Sequence, residues 1–401
     1  MELHSQPSAQ RVHIGFFGRR NAGKSSLVNA VTGQALSIVS PVQGTTTDPV
    51  QKAMELLPLG PVVIMDTPGI DDDGELGGQR VARSRRVLDK TDVAVLVQDA
   101  EIGETAEDKA LLSLVQARGI PYVIALNKAD LQPERFPIPQ EALWVSALTG
   151  EGIDALKERI ALLGQPAETP RRLVGDLLSR GDRVVLVTPI DESAPKGRLI
   201  LPQQQTIRDI LDAGAIPLLA RPDELPIAMS VLVAPPRLVI TDSQVFSQVH
   251  QLLPEGQPLT SFSILFARFK GGLSQTVAGA ARLDSLQDGD ALLISEGCTH
   301  HRQCDDIGTV KLPNWIRKYT GKDIHFAFTS GGEFPDDLSA YDLVVHCGGC
   351  MLNDKEMKHR FDQSAAAGVP ITNYGIAIAH MNGILRRALS PFPDMQQVIN
   401  L

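Results

Sequence analysis

The chain has 401 residues, 43% of them hydrophobic and 21% charged, with a net charge of −9. That is the composition of a soluble globular protein with two or three domains, and the acidic balance argues against a general nucleic-acid binder, which needs basic patches to neutralise phosphate. The opening MELHSQPSAQ lacks a signal-peptide pattern and no apolar run approaches a membrane span, so no membrane association and a cytoplasmic location are expected. In that compartment the four cysteines stay reduced and read as metal or redox ligands rather than disulfides.

In chain order, the first predicted elements are an apolar β-type run at 13–17 and an amphipathic helix at 24–32, capped by Gly33. Between them GRRNAGKS matches G-x-x-x-x-G-K-[ST] from Gly18 to Ser25. Gly18 and Gly23 let the backbone curl so that its N–H groups face phosphates at a helix N-terminus. The nucleotide-binding set here is Gly18, Asn21, Ala22, Gly23, Lys24, Ser25 and Ser26. Lys24 is expected to reach the β- and γ-phosphates, and the Ser25 hydroxyl to sit on Mg²⁺.

Three further stretches follow in the order a GTPase requires. VVIMDTPGI (62–70) is a buried strand ending in Asp66, which would hold Mg²⁺ through water, and Gly69 offers a backbone N–H to a γ-phosphate. YVIALNKAD (122–130) places the Asp130 carboxylate to accept two N–H bonds from guanine, a pairing adenine cannot offer. Asn127 and Lys128 support that loop and the base, and the Ser146–Ala147 backbone in LWVSALTG (143–150) meets the guanine oxygen. Together these motifs specify a Ras-like P-loop domain that binds GTP and GDP, with Lys24, Asn21, Asp66 and Gly69 as its catalytic candidates. Apolar runs at 61–65, 92–97, 121–126 and 142–145 alternate with helical patterns at 79–90, 105–118 and 152–163. Such alternation means an α/β fold with a mostly parallel sheet, predicted to fill residues 1–168, and GQPAETP (164–170) reads as a linker.

With GTTTDP at 44–49, the domain resembles the translation-factor-like GTPases related to tRNA-modifying and ribosome-assembly GTPases. The resemblance implies that this segment is switch I, with Thr46 as a second Mg²⁺ ligand and Thr45 and Thr47 as near alternatives. Ile70 follows DTPG where Ras carries a water-orienting glutamine, so intrinsic hydrolysis is expected to be slow. Asn21 falls where potassium-dependent members of the group carry a K⁺-binding asparagine, and K⁺ there supplies the charge of an arginine finger.

From 171 to 260 no chemical motif appears. RVVLVTPID and AIPLLA read as buried strands, QQTIRDILDAG as an amphipathic helix between them, and RLVITDSQVFSQVHQLL repeats the strand-then-helix pattern. Asp191 and Glu192 read as part of a solvated loop. Buried-looking strands without a site suggest an assembly surface, so residues 169–260 are predicted to be a dimerisation domain and the protein a homodimer.

The last stretch, 261–401, holds all four cysteines. DALLIS leads into Cys298 and YDLVV into His346 and Cys347, each at the carboxyl end of a β-type run, where ligand sites of parallel sheets gather. Helical patterns at 275–285, 308–319 and 354–367 supply crossovers that let these distant segments converge. Cys347-x-x-Cys350 aims two thiolates at one centre from a tight turn through Gly348 and Gly349, with Cys298 as the third ligand. Three thiolates with one exchangeable position suit a 4Fe–4S cluster; they equally suit a Cys₃His zinc site.

C-x-H at 298–300 and H-C-x-x-C at 346–350, joined to a complete GTPase, resemble the HydF family of FeFe-hydrogenase maturation GTPases, and CTHHRQCDDIGTVKLP and APKGRLILPQ read like segments of that family. The resemblance covers the whole chain and implies a 4Fe–4S cluster on Cys298, Cys347 and Cys350 in an iron–sulfur domain over 261–401. His300 and His346 belong to the motif as a fourth ligand or as donors to cluster sulfur, Asp305 as a labile oxygen ligand, and Cys304 lies outside the motif. It further implies a scaffold that takes the di-iron H-cluster precursor as cargo from two radical-SAM maturases and passes it to the FeFe-hydrogenase apoprotein. The competing expectations are a Ras-like GTPase with a structural zinc domain in RNA or ribosome-related assembly, and a GTP-gated redox sensor.

Overall fold

Residues 7–34, 50–67, 84, 86–165, 171–190, 199–297 and 306–395 are described by the computed structural model. Thr45, Thr46, Thr47, Gly69, Ile70, Asp191, Glu192, Cys298, His300, Cys304 and Asp305 lie outside the described residues. The chain divides into two compact units, one built from 1–169 with 353–356, the other from 170–352 with 357–401. Among the described residues no helix is long and apolar enough to cross a membrane.

In the first unit, β1 (Val12–Phe17), β2 (Val50–Leu56), β3 (Gly60–Asp66), β4 (Val93–Asp99), β5 (Tyr122–Asn127) and β6 (Ala142–Trp144) form one sheet in the order β2-β3-β1-β4-β5-β6. All neighbours are parallel except β2, which runs antiparallel to β3. Side chains alternate between the two faces, as the pleat requires. Ile14, Phe16, Val95 and Val97 pack with Leu27 and Val31 of α1 (Lys24–Thr32). Phe17, Ala94 and Leu96 face the other way onto Leu111 and Val115 of α2 (Ala106–Ala117). Burial on both faces is why these strands read as unbroken apolar runs. α3 (Ile153–Leu163) adds Leu156 and Ile160 to the α1 side. The strand order reverses beside β1, which opens a crevice at the carboxyl ends of the strands.

β2 is not among the predicted elements. Its VQKAMEL is rich in good helix formers, yet the short connection to β3 forces it into a hairpin, with Leu56 opposite Gly60 and Val50 opposite Asp66. It lies at the sheet edge, where its exposed Lys52 and Glu55 guard against pairing with other chains.

In the second unit, β7 (Arg183–Val187), β8 (Ile216–Ala220), β9 (Leu238–Thr241) and β10 (Leu259–Ser261) make a parallel sheet in the order β10-β9-β7-β8. α4 (Leu201–Asp212), α5 (Leu225–Ser230), α6 (Phe246–Leu252) and α7 (Phe262–Phe269) connect or follow its strands. Val184 to Val187 of β7 are wholly buried. AIPLLA, by contrast, is not a buried strand: β8 forms the sheet's outer edge, with Ile216 55% and Leu219 43% exposed. An apolar segment reads as core in a sequence, but nothing in it says whether a neighbour covers it.

The third sheet, in the order β12-β11-β13-β14, is parallel and consists of β11 (Ala291–Glu296), β12 (His325–Ser330), β13 (Leu343–His346) and β14 (Ile371–Asn373). α8 (Leu273–Ala280) precedes it, and α9 (Leu312–Thr320), α10 (Asp354–Ala366), α11 (Tyr374–Met381) and α12 (Leu385–Leu389) connect or follow its strands. A Cβ on Gly279 of α8 would stand 2.1 Å from the Ile371 carbonyl oxygen, so only glycine lets this helix lie on the β14 backbone. A single core joins the second and third sheets' helices, with Leu186 and Ile240 packed among Phe266, Ile376 and Leu389. Glu296 and His346 end adjacent strands at the same, carboxyl end of the third sheet, with His346 in register with Ser295.

Candidate functional site

The phosphate loop leaves β1 at Phe17 and enters α1 at Lys24. Gly18 (φ 151°) and Gly23 (φ 85°) both adopt backbone that favours glycine. A Cβ would also meet the Val97 carbonyl oxygen at 2.2 Å from Gly18, and Asn127 Nδ2 at 2.2 Å from Gly23. Exposed Asn21 takes a positive φ of 63° without being glycine. Ala22 is buried, and Ser26 lies in the first turn of α1. α1 starts at the crevice end of the sheet, and the first-turn N–H groups of a helix are donors suited to an anion. Lys24 is buried, and its Nζ donates to the carbonyl oxygens of Gly18 at 3.0 Å and Arg19 at 2.7 Å.

The Ser25 hydroxyl donates to Asp66 Oδ2 at 2.7 Å. Asp66 Oδ1 is buried and has no hydrogen-bond partner. Such an orphaned oxygen is costly unless something fills its lone pairs. A hydroxyl and a carboxylate on one spot are hard oxygen donors suited to Mg²⁺, so these residues fit the ion.

On the base side, Asn127 ties two loops together. Its Nδ2 donates to the Ala22 carbonyl at 3.0 Å, and its Oδ1 accepts from Ala147 N at 3.1 Å. Lys128 (φ 66°) pairs through Nζ with Asp99 Oδ2 at 2.5 Å. Asp130 is exposed, and its Oδ1 accepts from the Ser146 hydroxyl at 2.5 Å. Asp99 escapes the sequence reading because it ends an apolar run and carries no motif.

The second site lies at the ends of β11 and β13. Cys347 N donates to the Ser295 carbonyl at 2.9 Å, continuing the ladder one residue past β13. Its sulfur accepts from Gly297 N at 3.0 Å and from Gly349 N at 3.4 Å. Gly349 has φ 65°, and a Cβ there would lie 2.7 Å from Met357 Sδ. Cys347 and Cys350 are both half-buried free thiols. Lys270 closes the turn, its Nζ donating to the Leu352 carbonyl at 2.7 Å. Burial pushes the Cys347 thiol up, and burial followed by its neighbour Cys347 pushes Cys350 up to about 12. Both are therefore neutral until a metal displaces their protons.

His346 is 1% exposed with both ring nitrogens engaged. Arg360 Nη1 lies 2.9 Å from Nε2, and Nδ1 lies 2.8 Å from the Cys347 carbonyl oxygen. A guanidinium only donates, so Nε2 accepts and Nδ1 carries the proton. Burial, and then the Arg360 charge, pull His346 down to about 3, which keeps the ring neutral.

Beside the thiols stands a buried acidic group that carries no sequence motif. Glu296 Oε1 accepts from the Tyr374 hydroxyl at 3.2 Å. A Cβ on Gly308 would come within 2.3 Å of that oxygen, so glycine leaves it room. Burial and then Glu296 raise Tyr374 well above the ordinary phenol range. Asp306 caps the π-helical turn Ile307–Lys311 by accepting from Gly308 N and Thr309 N. Glu296 sits two residues before Cys298 at the end of a buried strand, and that position was the available cue. Among the described residues no three His, Cys, Asp or Glu side chains stand close enough to hold a metal ion.

Three family models match the chain. Residues 13–128 match one described as 50S ribosome-binding GTPase, 173–271 the hydrogen maturase F dimerization domain, and 274–391 the hydrogen maturase F tetramerization domain. Among individual relatives, the tRNA modification GTPase MnmE of Synechococcus sp. (strain CC9605) is 40% identical over 162 residues, 39% of this chain and 35% of that protein. GTPase Der of Wolinella succinogenes is 34% identical over 175 residues, 40% of this chain and 37% of that protein. The chain thus spans little more than a third of the length of either relative. GTPase Era of Rippkaea orientalis is 31% identical over 236 residues, 55% of this chain and 71% of that protein. The two hydrogen maturase F domains follow the GTPase domain in sequence and between them take in the whole thiol turn, so the chain belongs to the hydrogen maturase F (HydF) family.

Proposed function

We propose that this chain is a GTP-hydrolysing scaffold that binds a 4Fe–4S cluster through Cys298, Cys347 and Cys350 and delivers the di-iron H-cluster precursor to apo FeFe-hydrogenase. The observation that carries the reading is the Gly297 N–H on the Cys347 sulfur, because it brings the residue before Cys298 against the Cys-x-x-Cys turn. Backbone N–H donors to thiolate sulfur are a feature of cluster sites, where they tune the potential. His346 serves as a positioning group, since both its nitrogens are engaged. The fourth iron position falls to an exchangeable ligand, with His300 and Asp305 as candidates, and an exchangeable ligand suits a protein that must both accept and release. Two radical-SAM maturases are the expected suppliers of cargo. The exposed β8 edge, with its apolar Ile216 and Leu219, suits strand pairing with a second copy, which supports a homodimer.

On the nucleotide side, Lys24 and the first turn of α1 hold the phosphates. Ser25, Asp66 and Thr46 hold Mg²⁺, which supplies charge neutralisation at the β,γ bridge. The Gly69 N–H meets the γ-phosphate, and Asp130 reads guanine. Asn21 is assigned to K⁺. GTP turnover is expected to be on the order of tenfold faster in potassium than in sodium, far below the gain from an arginine finger. Equal rates in the two salts would remove that assignment. Hydrolysis is used to change affinity for partners, through switch loops that the γ-phosphate orders.

Anaerobic reconstitution with iron and sulfide tests the main reading. A brown protein holding about four irons per chain with a cluster EPR signal is expected. A colourless protein with one zinc would instead favour the second reading, a structural zinc domain on a GTPase of RNA or ribosome-related assembly. That reading draws on the 50S ribosome-binding description of residues 13–128. It has less support, because residues 173–391 carry the two hydrogen maturase F matches.

A further inference from the structure

We propose that Arg360 is a positioning residue and fixed counter-charge of the thiol site, setting the reduction potential of the cluster held there; the inference rests on the proposed cluster function. Arg360 is 1% exposed and is the largest fully buried side chain among the described residues. It lies in KEMKHRFDQ on α10, within the helical pattern at 354–367. One guanidinium reaches the ends of three neighbouring strands. Nη1 contacts His346 Nε2 at 2.9 Å, at the end of β13. It also donates to the Ser295 hydroxyl at 3.3 Å, near the end of β11. Nη2 donates to the Gly331 carbonyl at 2.7 Å, just past β12. The plane rests 5.0 Å from the Phe334 ring centre, an arrangement that suits arginine rather than lysine.

Geometry alone gives Arg360 a structural role. It fixes the His346 tautomer, and His346 Nδ1 then holds the Cys347 carbonyl. Burying a cation is costly, however, and neutral donors would serve for hydrogen bonding alone. The charge does something further. A cluster gains one negative charge when it takes up an electron, and a buried cation beside its ligand turn favours that form more than water does. The lever is electrostatic, and it acts through a residue adjacent to Cys347 without touching iron.

The test compares wild type with Arg360→Gln and Arg360→Lys, each reconstituted anaerobically and titrated with dithionite under EPR. At the potential where wild type is half reduced, Arg360→Gln is expected to show about tenfold less reduced cluster relative to oxidised, a midpoint about 59 mV lower for one electron. Arg360→Lys keeps the charge and loses the planar fork, so its ratio is expected within about threefold of wild type. An unmoved Arg360→Gln midpoint in a loaded protein overturns the role of Arg360 and leaves the cluster reading standing. If circular dichroism shows that Arg360→Gln does not fold, Arg360→Lys decides, and a tenfold displacement there overturns the counter-charge. A wild type that takes up no cluster removes both readings together.

Discussion

Replacing Cys347 or Cys350 with alanine is expected to give a protein that turns over GTP at the wild-type rate and retains no stable 4Fe–4S cluster. The two thiols leave one turn, with Gly297 N and Gly349 N already donating to the Cys347 sulfur. Loss of either leaves two thiolates for the iron. Four-ligand zinc sites bind with about 10–16 kcal/mol, so one ligand among four is worth about 2.5–4 kcal/mol, or roughly 70- to 900-fold in affinity. The fold should tolerate the change, because both thiols are only half-buried and alanine removes one atom. Turnover should stay within about twofold, well inside the ~1.4 kcal/mol that a tenfold change requires. The residues proposed for phosphate and base fall within 18–147, and none of them is a cysteine. Iron and sulfide per chain, measured beside GTP turnover, check the result. Wild-type iron content in either variant would remove that cysteine from the ligand set. Loss of iron and turnover together would mean that the two sites are not chemically separable.

How far the sequence can be read depends on how local each signal is. The P-loop needs only a strand, a turn and a helix between Val12 and Thr32, and its two glycines answer to backbone geometry that any sequence reader can apply. The strands on either side are buried on both faces, so composition alone reveals them. β2 escapes because its helix-forming residues are overruled by a hairpin partner that the ladder places up to sixteen positions further on. β8 misleads for the opposite reason: its apolar residues read as core, while the sheet order leaves them at the edge. Arg360 and Glu296 are the harder cases. A charged residue is normally solvated, and these two are buried by contacts with residues 14 to 78 positions away. Lys270 meets Leu352 across 82 positions. His346 is legible as a member of the thiol site, but its role is not, because the guanidinium on α10 and the Cys347 carbonyl together fix which nitrogen carries the proton.

Asp130→Asn is expected to weaken GTP binding by two decades or more and to move the preference to xanthosine triphosphate. Asp130 follows Lys128, whose left-handed backbone turns the chain at the end of β5. The Ser146 hydroxyl holds one carboxylate oxygen at 2.5 Å and thereby fixes the plane of the group. Guanine presents N1–H and the exocyclic amino group, two donors that an ionised carboxylate accepts together. Asparagine is the same size but offers one oxygen and one NH₂, so a donor now faces the guanine amino group. Losing the charged bond to the amino group costs about 1.5–3 kcal/mol, and the two donors left facing each other cost about 1–3 kcal/mol more, so GTP binding weakens by about 2.5–6 kcal/mol. Xanthine carries an oxygen where guanine carries the amino group and keeps N1–H, so the amide oxygen and NH₂ of asparagine match it. The exposed side chain and its preserved acceptor for Ser146 leave the fold unchanged. Titration of fluorescent GTP and xanthosine triphosphate analogues against both proteins measures the exchange. GTP affinity equal to wild type would show that Asp130 does not read the base, and weakened GTP binding with no gain for xanthosine triphosphate would confine its part to holding the loop.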